Sequence, residues 1–147
     1  MDDYSVIVSE SGDGPYAQFV TAGGHAMIAD EPERLGGRDA GASPYEYLMA
    51  GLGACTAMTL RIYAARHEWP LGKIAVLLRH EKIGAPDGHA KIDRFEREIR
   101  IAGELTDEQK TRLLSVAQQC PVSQTLQRPS LVVSRIAAAD RPVETAS

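Results

Sequence analysis

The chain has 147 residues, of which 44% are hydrophobic and 24% charged, and its formal net charge is −4. This length suits one domain with its own core, so we predict a single domain over residues 1–147. No basic run is present, which argues against nucleic-acid binding, and the uncharged stretch 47–60 is too short to span a bilayer. Because the N-terminus lacks a signal-peptide pattern, we expect a soluble, cytoplasmic protein.

The N-terminal part predicts three short strands in an antiparallel meander. Residues 4–9 are rich in β-branched side chains, and residues 17–21 and 24–29 lie on either side of a Gly-Gly pair. Residues 31–42 combine proline, three glycines and several charges, which predicts a long flexible loop.

A long helix is predicted to begin at Ser43 and to run to about His67. Ser43 can cap it, Pro44 suits its first position, and Glu46 can complete a capping box. Apolar positions recur at spacings of three and four, at Leu48, Leu52, Cys55, Thr59 and Ile62. This stripe, with small residues around it, predicts a helix buried at the centre of the fold.

The next segments predict two long strands and two helices. Residues 74–83 and 91–101 are strand candidates, and the charges along the second indicate a face open to water. Thr106 and Gln109 can form a capping box for a second helix that ends near Gln119. A short helical turn is predicted for residues 121–126.

The chain is predicted to end in one more strand and a frayed tail. Residues 131–136 favour the strand, and residues 137–147 the tail. The order of strands, helix, strands, helix and strand predicts an α+β fold with a mainly antiparallel sheet.

Two cysteines are the residues most able to carry chemistry. Cys55 lies on the apolar stripe, where a free cysteine commonly acts as a small hydrophobic residue. Cys120 precedes Pro121 at the start of a helical turn, where free N–H groups and the helix dipole stabilise a thiolate, although it can equally be an incidental cap. Together they suggest a dithiol in which one sulfur is oxidised and the other closes a disulfide.

Two further side chains are candidates for supporting roles. Arg38 could fold over the site from its loop and hold a thiolate or an anion, or it could be a solvated residue paired with Asp39. Glu46 is a candidate catalytic base, although the capping box explains it more simply. The four histidines are not at metal-ligand spacing from each other or from a cysteine, so no metal site is predicted.

Three segments together resemble the OsmC/Ohr family of osmotically inducible and organic hydroperoxide resistance proteins: residues 43–48, 51–60 and 120–126. The resemblance covers nearly the whole chain. It implies an intertwined homodimer with the long helices at its centre and sites at the subunit interface. It also implies thiol-dependent reduction of organic or lipid hydroperoxides, with Cys55 matching the peroxidatic cysteine and Cys120 the resolving one. In the family a dithiol such as a lipoyl group reduces the disulfide, without a metal or bound cofactor.

The chain departs from the peroxidase pattern at two places, and in this it resembles a less-defined, OsmC-like branch of the family. The peroxidases carry glutamate directly after the proline of the helix start, where this chain has Tyr45 and then Glu46. Their partner arginine comes from a glycine-rich N-terminal segment, whose counterpart at residues 11–20 has none, so Arg38 could take its place. The alternatives are a non-catalytic protein that binds a small apolar ligand, and a thiol redox sensor or disulfide-exchange protein.

Overall fold

The computed structural model describes residues 5–139. Contacts divide the chain into two units, the first containing residues up to Tyr47 together with those from Val132 onward, and the second containing Leu48–Leu131. The mixture of helices and antiparallel sheets confirms the predicted α+β class.

The first unit contains a three-stranded antiparallel sheet, which confirms the predicted meander. Its strands are β1 (Val6–Glu10), β2 (Gln18–Ala22) and β3 (His25–Ala29), in that order. Gly23 and Gly24 join β2 to β3 with φ angles of 55° and 84°. A two-residue turn with both φ angles positive matches the twist of its strands, and glycine adopts it without strain.

The loop predicted after β3 is present in the structure. It contains a single 3-10 turn at Glu33–Leu35 and is anchored by Asp30, a side chain only 3% exposed. One oxygen of Asp30 accepts the N–H of Glu31 at 2.8 Å, and the other accepts those of Arg38 and Ala40, both at 3.2 Å. A buried carboxylate with three donors therefore holds the loop closed.

Helix α1 (Pro44–Arg66) begins and ends as predicted, within one residue. Glu46 Oε1 accepts the hydroxyl of Ser43 at 2.7 Å and its N–H at 3.3 Å, while the N–H of Glu46 points back to Ser43 Oγ at 3.4 Å. The capping box is confirmed, because both halves of the reciprocal bond are present.

The predicted apolar stripe of α1 is wrong in its position. The buried residues are Leu52, Gly53, Thr56, Leu60 and Ala64, whereas Leu48 is 46% exposed and Ile62 is 53% exposed. The helix is apolar around much of its circumference, so spacing alone could not select the buried side. Within this chain α1 is also far from fully buried. Among the described residues it is the one helix long and apolar enough, by length and composition alone, to cross a bilayer.

The second unit packs α1 residues against a hairpin and two helices. The hairpin is formed by β4 (Ile74–Gly84) and β5 (Lys91–Ile101), and α2 (Asp107–Gln118) and α3 (Pro121–Leu126) follow it. A cluster of Leu60, Leu113, Val116 and Ala117 forms the core. A Cβ at Gly53 would lie 2.7 Å from Leu78 Cδ1, so the missing side chain lets α1 lie close to β4.

The outer face of the hairpin is charged, as the sequence predicts. Arg79 and Glu96 pair at 2.8 Å, and Arg94 and Glu81 pair at 2.7 Å, both across the two strands. All four side chains are substantially exposed, so these pairs contribute little to stability and mainly keep this face soluble.

The predicted strand at residues 131–136 is wrong. The segment has no regular structure, and Leu131, Val132, Val133 and Ile136 are 83–100% exposed. β-branched residues favour a strand only where a neighbouring edge accepts its N–H and C=O groups, and no described strand pairs with this segment. The predicted tail is irregular at residues 137–139, and its remainder lies outside the described residues, as does residue 4 of the first predicted strand.

Candidate functional site

The second unit brings the two cysteines together, although they lie on different helices. Cys55 is on α1, and Cys120 is the N-cap of α3, directly after the end of α2. Their side chains interact with each other, and both cysteines are free thiols. Cys55 is partly exposed, whereas Cys120 is completely buried. The dithiol suggested by the sequence is thus present as a close pair.

Backbone geometry at the start of α3 presents N–H groups to the pair. Pro121 occupies the first position of α3, and the N–H of Ser123 donates to Cys120 Sγ at 3.5 Å. The N–H of Val122 interacts with the sulfur of Cys55. Free N–H groups of a helical turn favour a negative charge on sulfur.

The surroundings shift the pKa values of the two thiols in opposite directions. Burial alone would raise the pKa of Cys120, but hydrogen bonds from the Cys55 thiol, the Ser123 N–H and the Thr56 hydroxyl outweigh it, so that pKa lies below its ordinary value. Burial and the hydrogen bond to Cys120 raise the pKa of Cys55. Of the two thiols, Cys120 is therefore the one that ionises first, while Cys55 keeps its proton.

Arg97 is a site residue that the sequence analysis missed. It lies on β5, and its guanidinium donates to Thr56 Oγ1 at 2.8 Å and to Ser123 Oγ at 3.2 Å. Its position holds the signal that could have found it, because Phe95, Ile99 and Ile101 are the other half-buried residues of the same alternating row. A charged residue in an apolar row indicates a specific partner inside.

Two cavities of the second unit border Arg97. One of about 690 Å³ is lined mainly by apolar residues, among them Ile99, Ile101 and Leu105. The other, of about 460 Å³, lies between the hairpin and the helices and reaches Ser123. Arg97 thus lies between open apolar space and the hydroxyl groups beside the cysteines.

The supporting candidates lie in the first unit. The backbone N–H of Arg38 is bound by Asp30, and its side chain runs beside Gly14, where a Cβ would lie 2.9 Å from Arg38 Cδ. Among residues 5–139 no ion pair joins Arg38 to Asp39, so that predicted pairing is wrong. Asp39 takes a positive φ of 53°, and its N–H donates to the carbonyl of Glu31. Glu46 has Ser43 as its partner.

The histidines of the described chain join no group of three or more His, Cys, Asp and Glu side chains that could hold a metal. The reactive groups brought together are therefore the two sulfurs, with hydroxyl, N–H and guanidinium donors around them. This arrangement is a candidate dithiol site on an α+β scaffold.

The model of the OsmC-like protein family matches residues 36–134, and the chain belongs to this family. The resemblance seen in the sequence is therefore confirmed. No functionally curated protein matches the sequence.

Solved structures share the fold at low sequence identity. A putative osmotic stress induced and detoxification response protein from Psychrobacter arcticus superposes with a TM-score of 0.71 at 19% identity, covering 85% of this chain and 89% of that one. An organic hydroperoxide resistance protein OsmC from Legionella pneumophila gives 0.63 at 20% identity, covering 86% and 92%. One from Elizabethkingia anophelis gives 0.62 at 24% identity, covering 85% and 90%.

Proposed function

We propose that this protein reduces organic hydroperoxides through a dithiol, with Cys55 as the peroxidatic and Cys120 as the resolving cysteine. The observation that carries the proposal is the pair of neighbouring sulfurs with opposite pKa shifts and unequal exposure. Solved neighbours of the same fold are named organic hydroperoxide resistance proteins, which supports the choice of substrate.

Exposure supports the assignment of the roles. A peroxide must reach the attacking sulfur, and Cys55 is the accessible one of the two. Cys120 is buried, and its thiolate is stabilised, so it can act as the base that takes the proton of Cys55. The sulfur of Cys55 then attacks the terminal oxygen of the hydroperoxide, and the O–O bond breaks.

The second step closes a disulfide. The alkoxide leaves as an alcohol after taking the proton from Cys120, and Cys55 is left as a sulfenic acid. The Cys120 thiolate attacks that sulfur and releases hydroxide, so one hydroperoxide is reduced by two electrons and the dithiol is oxidised. A small dithiol such as a lipoyl group would restore the thiols by exchange, without a metal or bound cofactor.

Arg38 and Glu46 remain proposed supporting residues. Arg38 lies against Gly14, within the glycine-rich segment that supplies the arginine in the peroxidases that the sequence resembles. It is therefore proposed to hold the substrate or the thiolate in place of that arginine. For Glu46 we propose the structural role of positioning the start of α1, because Ser43 occupies its carboxylate.

We further propose a cytoplasmic homodimer, with sites completed at the subunit interface. Apolar side chains of α1 and the C-terminal segment support this, since Met58 is 64% and Leu131 90% exposed. Burying these side chains against a second copy would remove apolar surface from water.

Two cysteine variants test the peroxidase reaction. Cys55→Ser should reduce turnover of cumene hydroperoxide to the uncatalysed rate, because the attacking sulfur is lost. Cys120→Ser should still consume one equivalent of peroxide per chain, more slowly because the thiolate base is lost, but form no intramolecular disulfide. Stopped-flow oxidation of the reduced protein, followed by thiol counting, measures both, and wild type should lose two thiols per chain.

Hydrogen peroxide serves as the control substrate and should react more slowly than cumene hydroperoxide. A first oxidation that survives in Cys55→Ser and disappears in Cys120→Ser would reverse the two roles. Full turnover in both variants would remove the proposal.

The apolar cavity of about 690 Å³ favours a second candidate, a protein that binds small apolar ligands without catalysis. In that case an apolar or acyl ligand should raise the Tm equally in wild type and in the double cysteine variant, and peroxide should oxidise the protein no faster than free cysteine.

A further inference from the structure

We propose that Arg97 is a positioning residue of the dithiol site, which acts on the sulfurs through the hydroxyl groups of Thr56 and Ser123. Arg97 Nη1 donates to Thr56 Oγ1 at 2.8 Å, and Nη2 donates to Ser123 Oγ at 3.2 Å. Both hydroxyl-bearing residues are at least 96% buried. The backbone N–H of Ser123 donates to Cys120 Sγ, and the hydroxyl of Thr56 interacts with the same sulfur. The guanidinium therefore lies one hydroxyl group away from the pair.

The packing of α1 on the hairpin places Arg97 there. In the register of β4 and β5, Arg97 is opposite Leu78, and Leu78 lies against Gly53. Because Gly53 has no side chain, the hairpin approaches α1 closely enough for the guanidinium to reach Thr56, three residues further along the helix. The missing side chain of Gly53 is therefore what allows Arg97 to contact Thr56.

The direction of the hydrogen bonds determines what Arg97 does. A guanidinium can only donate, so Thr56 Oγ1 must accept from it and has a single proton left to give. That proton has two acceptors within reach, the carbonyl of Leu52 at 2.7 Å and the sulfur of Cys120. When Cys120 is a thiolate, rotation of the hydroxyl delivers a hydrogen bond to the negative sulfur.

Ser123 is held in the same manner. Its Oγ accepts from Arg97 and also from Gln127 Nε2 at 2.9 Å, while its backbone N–H donates to Cys120 Sγ. The guanidinium thereby fixes the first turn of α3 at the position where that turn contacts the thiolate.

Arg97 differs from the neighbouring arginines of the hairpin. Arg79, Arg94 and Arg100 each pair with a glutamate, whereas among the described residues Arg97 forms no ion pair with a carboxylate. A guanidinium without a contact carboxylate can stabilise a nearby anion.

Other charged groups also line the two cavities beside Arg97, namely Asp93, Arg94 and Glu96 in the smaller one and Glu104 and Lys110 in the larger one. On the hairpin, His80 and Asp93 pair with each other at 2.7 Å. The charged residues of α2 (Asp107, Glu108, Lys110 and Arg112) and those of α1 in this unit (Arg61 and Arg66) are on exposed positions. Among the charged side chains of the described residues, Arg97 is the one that hydrogen-bonds to the hydroxyl groups of Thr56 and Ser123.

The test is a pH titration of the thiolate by its ultraviolet absorbance in the reduced full-length protein. In Arg97→Met the midpoint should move to higher pH, and at pH values below the midpoint the thiolate population should fall about tenfold. Arg97→Lys should recover part of this loss. Arg100→Met, which removes the same charge from the exposed face of the same strand, should titrate like wild type.

A double variant shows whether Arg97 acts through Thr56. Thr56→Val keeps the shape of the side chain and removes the hydroxyl, so it should shift the titration in the same direction, and combining it with Arg97→Met should add less than the sum of the two. An unmoved midpoint in Arg97→Met, or an equal shift in Arg100→Met, would overturn the proposal.

The positioning role of Arg97 rests on the proposed function only for the effect of Arg97 on peroxide turnover. If no peroxide is reduced but the titration shifts as expected, the peroxidase proposal fails and the positioning role stands. If peroxide is reduced and the titration does not move, the positioning role fails alone.

Discussion

Asp30 shows how one side chain can organise a loop. Burial by itself would raise the pKa of this carboxyl, but the N–H groups of Ala40, Glu31 and Arg38, together with the charge of Arg38, hold it below the ordinary value of 3.8. A carboxyl with a lowered pKa stabilises the fold at pH values above its unfolded value. That contribution is lost as the pH falls through the folded value.

Asp30→Asn should therefore lower the Tm at neutral pH and speed tryptic cleavage at Arg34 and Arg38. An amide offers one acceptor where the carboxylate offers two, so N–H groups of the loop would face another donor. The difference in Tm from wild type should narrow as the pH falls below 3.8 and through the lower folded pKa of Asp30, because wild type loses the same charge over that range. Thermal melts over a pH series measure this.

Asp39→Asn is the matched control, because it makes the same chemical change in the same loop. Asp39 is exposed and has a φ of 53°, a conformation that asparagine tolerates well. Its Tm should equal that of wild type or exceed it. An equal loss of stability in the two variants would show that net charge, and not the hydrogen bonds of Asp30, stabilises the loop.

Local interactions of single residues were predictable from the sequence, and distant ones were not. Ser43 with Glu46 and Thr106 with Gln109 are three residues apart, so their spacing alone indicates a capping box. The bond between Arg97 and Thr56 joins residues 41 positions apart and depends on how α1 meets the hairpin. For the same reason the sequence could not predict that the two cysteines lie close together.

At the scale of elements, the capping box of α2 gives a quantitative prediction. Thr106 Oγ1 accepts the N–H of Gln109 at 3.1 Å, and Gln109 Oε1 accepts the N–H of Thr106 at 3.0 Å. Thr106→Ala should lower the free energy of unfolding by about 1 kcal/mol. The Tm should fall by about 2–4 °C, as measured by circular dichroism.

Thr111→Ala provides the comparison within the same helix. Thr111 is exposed in the interior of α2, where alanine is the better helix former, so this variant should be as stable as wild type or slightly more stable. Equal destabilisation by both substitutions would show that the cap contributes nothing specific.

The presence and the ends of helices and strands were predicted well wherever an apolar periodicity is bounded by a clear start or stop signal. The ends of α1 agree with the sequence within one residue because Pro44 and Pro70 limit it. The buried side of α1 and the segment at residues 131–136 were predicted wrongly. Both features depend on which elements pack against these residues, and the local sequence pattern does not carry that information.

At the scale of the whole molecule, the proposed homodimer has a direct test. Ile62 is 53% exposed on α1, and burying it against a second copy would remove apolar surface from water. Wild type should have about twice the 15.9 kDa mass of the chain by light scattering after gel filtration. Ile62→Glu should shift this mass toward that of the monomer at the same concentration.

Leu35→Glu is the control, since Leu35 is equally exposed but lies on the loop of the first unit. It should leave the mass unchanged. A wild-type protein that remains monomeric at high concentration would contradict the dimer, and so would a dimer that both substitutions weaken equally.

The neighbouring positions of Cys55 and Cys120 also bear on heat stability. A bond between them would close a loop of roughly 65 residues, and the chain-entropy model assigns such a cross-link a stabilisation of about 4 kcal/mol. Each turn of the proposed cycle would thus alternate between a less stable reduced form and a more stable oxidised form of the protein. The cross-link would restrict the unfolded chain much more than the folded one, so the oxidised form would have the higher Tm.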